Sequence, residues 1–324
     1  MTQADRARAT SNDVAVLAGV SRATVSQVLN GHADRFAPQT AQKVTRAARQ
    51  LGYQPSAAGR ALRRGSSDFV LALIPNTTFG GNLQDWFERL TATLAAQGFT
   101  LVLGVTTASV DVLDRLVSQM QPAAVLAFTP FSAAERAVLA RNGVVAVDPP
   151  SAARAGQDAL IGRLQAETLI SRGHRRLAFA HLADSRQDPF GAAREDGVRQ
   201  AALEAGLPDI EVVGLAIHID EALGALDRLR PPGIAIACYN DDVAISLMNA
   251  AQLRGWDVPG DVAVIGMDRT PVSQVTVPRL TTLEYDLSDA AATGAASVLR
   301  ALGLEGEAPT PSASALRLVE GASV

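Results

Sequence analysis

From Phe69 onward the chain repeats one pattern: a short apolar run, a stretch of helical periodicity, then another apolar run. The runs at 69–74, 101–105, 123–128, 144–147, 177–180, 234–238 and 262–266 are nearly unbroken by polar residues. That is how strands covered on both faces read. Between them, 83–97, 112–120, 133–141, 165–172, 192–205 and 241–254 have helical spacing. Strands separated by helices pair in parallel, because a parallel neighbour needs a long crossover. About a dozen strands exceed one comfortable sheet, so two subdomains are expected. Ligands of such folds sit at the carboxyl ends of the strands, which between two subdomains is a cleft.

The first sixty-five residues have a different texture. They hold ten Lys and Arg against three Asp, a charge of +7, while the remaining 259 residues carry −11. A basic module on an acidic body suggests a polyanionic partner for the module alone. Of the whole chain, 48% is hydrophobic and 19% charged, which excludes disorder over most of its length. No run reaches the ~18 apolar residues of a membrane span. The first thirty residues have no apolar core of the signal-peptide kind. The single Cys238 can form neither an internal disulfide nor a cysteine-based zinc site. These features point to a cytoplasmic protein with no membrane partner.

Three short helical patterns fill the basic module. Thr10 and Asp13 have the spacing of a capping box, with Val14, Leu17 and Ala18 on one face behind them. Gly19 ends that helix. Ser21 caps the next, 22–30, whose Val25, Val28 and Leu29 point inward. Pro38 opens a third helix that runs to Leu51, with Val44, Ala48 and Leu51 as its stripe and Gly52 as its stop. Two short helices joined by a glycine turn form a helix-turn-helix, whose second helix enters the major groove. Its outward face carries Arg22, Ala23, Ser26 and Gln27. Arg suits guanine, Gln suits adenine and Ala suits the thymine methyl. A small bundle with a polar face would show much the same pattern.

The segments Asp13-Val14-Ala15, Ala18-Gly19-Val20-Ser21, Thr24-Val25-Ser26, Val28-Leu29-Asn30-Gly31 and Leu51-Gly52-Tyr53-Gln54-Pro55 resemble the LacI family of bacterial transcription repressors. The resemblance implies a head over 1–54, a hinge helix and linker over 55–67, and an effector-binding and dimerisation body over 68–324. In that family two hinge helices pair in the minor groove, and a leucine wedges into the central base step, kinking the duplex. Leu62 stands at that position. The other implied DNA contacts are Thr10, Ser21, Thr24 and Asn30 in the head, His32 in the following loop, then Tyr53, Ala58 and Arg63. The hinge departs from the family pattern in having Ser56 for Asn and Gly59 for Ala, and Gly costs a helix roughly 1 kcal/mol relative to Ala. The loop at 32–35 is slightly longer than usual.

The body resembles the same family through 172–176, Asn240-Asp241, 255–268, 278–282 and 316–321. The implied fold is that of periplasmic sugar-binding proteins, with two parallel-sheet subdomains and chain crossings near 155–160, 284–288 and 309–315. The implied effector contacts are Asn76, Asp158, Arg194, Asn240 and Asp268, with Phe79 and Tyr285 as stacking surfaces. Arg194 begins an Arg-x-x-Gly motif completed by Gly197. Arg donates in a fork, Asp accepts and Asn does both, a set that suits a sugar, polyol or nucleoside. On this reading Asp241 caps its helix and Asn240 faces the ligand. The relatives' Asn-Pro-Phe-Phe stretch is replaced here by 76–81, and Arg269 stands where many have a second Asp. Trp86 reads as core and Cys238 as a buried thiol. His181 and His218 read as isolated, and no histidine pair has metal spacing.

The expectation is a homodimeric, possibly tetrameric, repressor that binds palindromic operator DNA under control of a small effector, with no cofactor. A solute-binding module without a DNA role is the alternative, and the +7 head argues against it. An enzyme is disfavoured, because no Walker loop, GxGxxG or GxSxG elbow occurs.

Overall fold

A computed structural model describes residues 9–29, 33–53, 67–77, 81–105, 109–149, 151–184, 186, 188–285, 288–304 and 316–324. The chain divides into two units, Met1–Asp68 and Phe69–Val324.

The first unit is helical. Helix α1 (Ser11–Ala18) opens on the Thr10–Asp13 capping box and stops at Gly19, which has a left-handed φ of 66°. Ser21 Oγ accepts the Thr24 amide at 3.1 Å and so caps α2 (Arg22–Leu29). Helix α3 (Pro38–Leu51) begins on its proline and ends at Gly52. The small core holds Val14, Ala15, Val25, Val28, Val44, Ala47 and Ala48. Leu17, expected inside, is 46% exposed, because α1 buries the face through Val14 and Ala15 instead. Leu51 likewise sits at the exposed margin of the stripe.

In the second unit, the strands β1 (Phe69–Ile74), β2 (Thr100–Val105), β3 (Ala124–Ala127) and β4 (Val145–Val147) form a parallel sheet in the order β2-β1-β3-β4. Its two faces have separate cores. Val70, Ala124 and Leu126 pack with Trp86, Leu90 and Leu94 of α4 (Gly81–Ala96) and with Ala295 and Val298 of the later α11 (Ser288–Ala301). Leu71, Leu73 and Val125 pack on the other side, with Leu113 and Val117 of α5 (Val110–Met120) and with Val138 and Leu139 of α6 (Ala133–Arg141). This period-2 division is what burial on both faces requires. Trp86 is core, as its helical spacing suggests.

The second sheet adds β5 (Leu177–Leu182), β6 (Glu211–Leu215), β7 (Ile234–Cys238), β8 (Val262–Met267), β9 (Thr281–Tyr285) and β10 (Leu316–Val319), in the order β10-β9-β8-β7-β5-β6. Only β10 runs antiparallel, on the edge beside β9. Helices α7 (Ser151–Ser171), α8 (Gly191–Glu204), α9 (Ile219–Leu229) and α10 (Asp241–Leu253) complete this half.

Helix α7 corrects the sequence reading. It was expected to begin near 165, yet it starts at Ser151 and belongs to the second half through its packing on α8, β7 and β8. The chain therefore leaves the first sheet between Val147 and Ser151, and the expected crossing at 155–160 lies inside the helix. It returns between Tyr285 and Ser288, since α11 packs on α4, β3 and β4. The crossing expected at 309–315 lies outside the described residues. Strands β6 and β9 and helices α9 and α11 were not assigned from sequence; β6 alternates too weakly and β9 carries Thr and Glu beside its apolar residues.

Candidate DNA-reading face and effector site

On α2 the side chains of Arg22, Ala23 and Gln27 are exposed and Ser26 is half-buried, while Val25 and Val28 face the core. The polar face is thus held outward by two buried valines one turn apart. Thr10 and Ser21 are exposed and serve as caps. Thr24 shares a hydroxyl contact of 2.9 Å with Ser21. Tyr53 is half-buried against the three-helix core. Asn30, His32, Ala58, Leu62 and Arg63 lie outside the described residues, as does Phe79.

The effector candidates are set by the carboxyl ends of the strands. Arg194 lies on the first turn of α8 and is almost wholly buried. Its Nε donates to Asp158 Oδ1 of α7 at 3.2 Å, and its Nη1 donates to the Tyr239 carbonyl at 2.6 Å. The guanidinium carbon lies 5.5 Å from the Phe190 ring centre and 5.2 Å from that of Tyr239. Those two rings are parallel within 6°, their centres 6.5 Å apart. A buried cation held by a carboxylate, a carbonyl and two ring faces has a fixed orientation.

Tyr239 follows β7 and is 1% exposed. Its hydroxyl lies 3.0 Å from Thr77 Oγ1, just past the end of β1. One hydrogen bond thereby links the carboxyl ends of the two sheets. Burial raises the Tyr239 hydroxyl pKa, against the opposing pull of Arg194 and Thr77. Neither Tyr239 nor Thr77 was singled out from sequence; the position of Tyr239 directly before Asn240 was the available signal. Asn76 is exposed beside Thr77. Tyr285 is half-buried and its hydroxyl is bonded by Gln157, next to Asp158.

The cap expected of Asp241 is supplied by Asn240 instead. Asn240 Oδ1 accepts the Val243 amide at 3.0 Å and is the helix cap. Asp241 is fully buried, accepting from Thr282 Oγ1 at 2.5 Å and from the Thr270 amide at 2.6 Å. Burial outweighs these bonds and raises its carboxyl to about 6. Asp268, after β8, is raised to about 7, again mainly by burial and despite Arg194 nearby. Both Asp268 and Arg269 have positive φ, 105° and 47°. Consecutive non-glycine residues in that region mark a backbone held by its surroundings, as at ligand sites.

Two further features escaped the sequence reading. Gln165 is completely buried and donates to the carbonyls of Cys238 at 2.9 Å and Gly266 at 3.0 Å, fastening α7 to the ends of β7 and β8. His181, read as isolated, bridges Asp188 Oδ2 at 2.6 Å and Glu195 Oε2 at 2.8 Å. Burial lowers its pKa, but the two carboxylates prevail and the net shift is upward. His218 also has a role, as the cap of α9. Cys238 is buried, with its thiol pushed well up. Among the described residues no cluster has the makings of a metal site.

Comparison with known proteins gives two family matches. Residues 10–56 match "Bacterial regulatory proteins, lacI family", and residues 166–324 match "Periplasmic binding protein-like domain". The chain is 33% identical over 297 residues to the HTH-type transcriptional regulator GntR of Pseudomonas aeruginosa, covering 85% of this chain and 84% of that protein. It is 32% identical to the HTH-type transcriptional repressor PurR of Vibrio parahaemolyticus, covering 85% and 86%. A crystal structure of the Lac repressor bound to ONPG in its repressed state superposes with a TM-score of 0.77. The identity there is 21%, over 98% of this chain and all of that one.

Proposed function

This chain belongs to the lacI family of bacterial regulatory proteins, DNA-binding transcriptional regulators under effector control, and from that premise we propose that it is a dimeric repressor of a palindromic operator, released or engaged by a small polar ligand. The ligand is a sugar, polyol or nucleoside, bound between the two sheets of the body. Each half-operator is read by Arg22, Ala23, Ser26 and Gln27 of one α2 helix, with Leu62 as the minor-groove wedge. Two such heads on a twofold axis require an inverted repeat. The protein works in the cytoplasm, where its operator is, and as a regulator it catalyses no reaction.

The observation that carries the effector reading is the cluster of Asp158, Arg194, Phe190 and Tyr239, joined to the other sheet by the Thr77–Tyr239 bond. Its groups offer ring faces, a hydroxyl that both donates and accepts, and a carboxylate, the vocabulary of hydroxyl recognition. A ligand reaching both sheets favours one relative position of them, and it shifts DNA binding by its preference between the two states.

The test is melting of the purified protein against sugars, polyols, nucleosides and purine bases, then operator binding with each hit. A ligand at 100 times its Kd adds about 2.7 kcal/mol. Arg194→Ala should abolish the ligand-induced change in operator affinity while unliganded operator binding persists. An unchanged response would remove Arg194 from the site.

A further inference from the structure

The charges around the cleft are held in fixed pairs, and these bear on which ligands can enter it. Ligands of parallel α/β sheets lie at the carboxyl ends of the strands. In the first half the described residues that follow those ends, 75–77, 109, 128–132 and 148–149, include no Lys or Arg, and Arg136 of α6, which reaches them, is held by Asp148 at 2.6 Å. Among the described residues of the second half, the cations near those ends are Arg186, Arg194 and Arg269. Each is already held by a carboxylate: Arg186 by Asp184, Arg194 by Asp158 and Arg269 by Glu284. His218 stands exposed behind β6, at the edge of the sheet.

Arg194 is the residue an anionic ligand would need. Its Nε is engaged by Asp158 and its Nη1 by the Tyr239 carbonyl, and only 7% of the side chain is exposed. Neither two-nitrogen edge of the guanidinium is thus left wholly uncommitted for a carboxylate or phosphate. The amino end of α10 would otherwise attract an anion. Here Asn240 caps it, and Asp241 and Asp242 occupy its first turn. Asp268 adds a third carboxyl beside them, and burial raises the pKa of all three.

We infer that the effector site selects uncharged or amine-bearing polyhydroxylated ligands and rejects their phosphorylated and carboxylated counterparts. This rests on the reading that the effector binds around Arg194 between the two sheets. A phosphate brought into this site meets buried carboxyls with no cation released to meet it, and like-charge juxtaposition of that kind is unfavourable.

The experiment uses the full chain and sets of ligands that differ only in charge. Glucose is compared with glucosamine, gluconate and glucose 6-phosphate; ribose with ribose 5-phosphate; adenosine with its 5′-monophosphate. Melting shifts across a concentration series at constant ionic strength and pH 7.5 give apparent affinities. The expected result is a hit in at least one set, with the anionic member weaker than the uncharged one by at least about tenfold, as 1.4 kcal/mol implies. An anionic member binding as tightly as its uncharged counterpart overturns the inference and leaves the polyol reading standing. Silence of every member, charged and uncharged alike, overturns the polyol reading, and the inference falls with it.

Discussion

Asp268 shows how much a residue's neighbours decide. From sequence it is an acid at a strand end; in the fold it is a carboxyl raised to about 7 beside the equally crowded Asp241. A carboxyl whose pKa is raised on folding contributes stability below its unfolded value near 3.8, and that contribution is lost as pH rises through about 7. Asp268→Asn should therefore flatten the decline in stability between about pH 4 and 7, removing up to about 1.4 kcal/mol per pH unit of slope. Urea melts of both proteins at several pH values would show it, and parallel slopes would place the strain elsewhere. His181 has the same sign. Its pKa is raised above 6.5, so the stability from its two carboxylate partners is complete below that pH and is lost at higher pH. Asp158 and Arg194 were each legible as candidates. Their union was not, because they lie 36 residues apart on different helices.

At the scale of elements, the site depends on how closely α7 and α8 approach. A Cβ on Gly197 would lie 2.0 Å from the Ala159 carbonyl oxygen, and one on Gly162 would lie 1.8 Å from that of Arg194. The glycine of the Arg-x-x-Gly motif is thus a packing requirement, and it sets the separation at which Arg194 reaches Asp158. Gly197→Ala should force the helices apart and cost about 1–3 kcal/mol. Calorimetry would measure the loss, and a ligand affinity reduced further than that of a comparably destabilised core variant would trace it to the Arg194–Asp158 pair. Capping boxes and glycine stops were readable because they are local; Thr10, Ser21, Gly19 and Gly52 serve as their residue types dictate. The long α7 was not readable to its true start, because 151–164 mixes alanines, glycines and polar residues without a clear apolar stripe.

For the whole molecule, the proposed function separates two kinds of DNA contact. Gln27→Ala should relax base preference at one position of each half-site, costing about 1–3 kcal/mol there. Selection from randomised operators would detect it, and an unchanged consensus would shift the register of α2. Leu62→Ala should weaken specific binding far more than nonspecific binding, since the wedge acts only where the duplex is kinked. Equal losses by titration at fixed salt would remove that role.

Legible in the residues alone were the division into a basic helical head and an acidic α/β body, the parallel order that strand–helix alternation imposes, and the family. Each of these is written in periodicity, charge and local turn chemistry over neighbouring residues. It took the folded chain to reveal that Asn240 rather than Asp241 caps α10, that His181 is clasped by two acids, and that Tyr239 meets Thr77 across 162 residues of chain. Such partners are brought together by the packing of separate elements, and burial then sets their protonation. Neither distance in space nor loss of solvent is encoded at any one position.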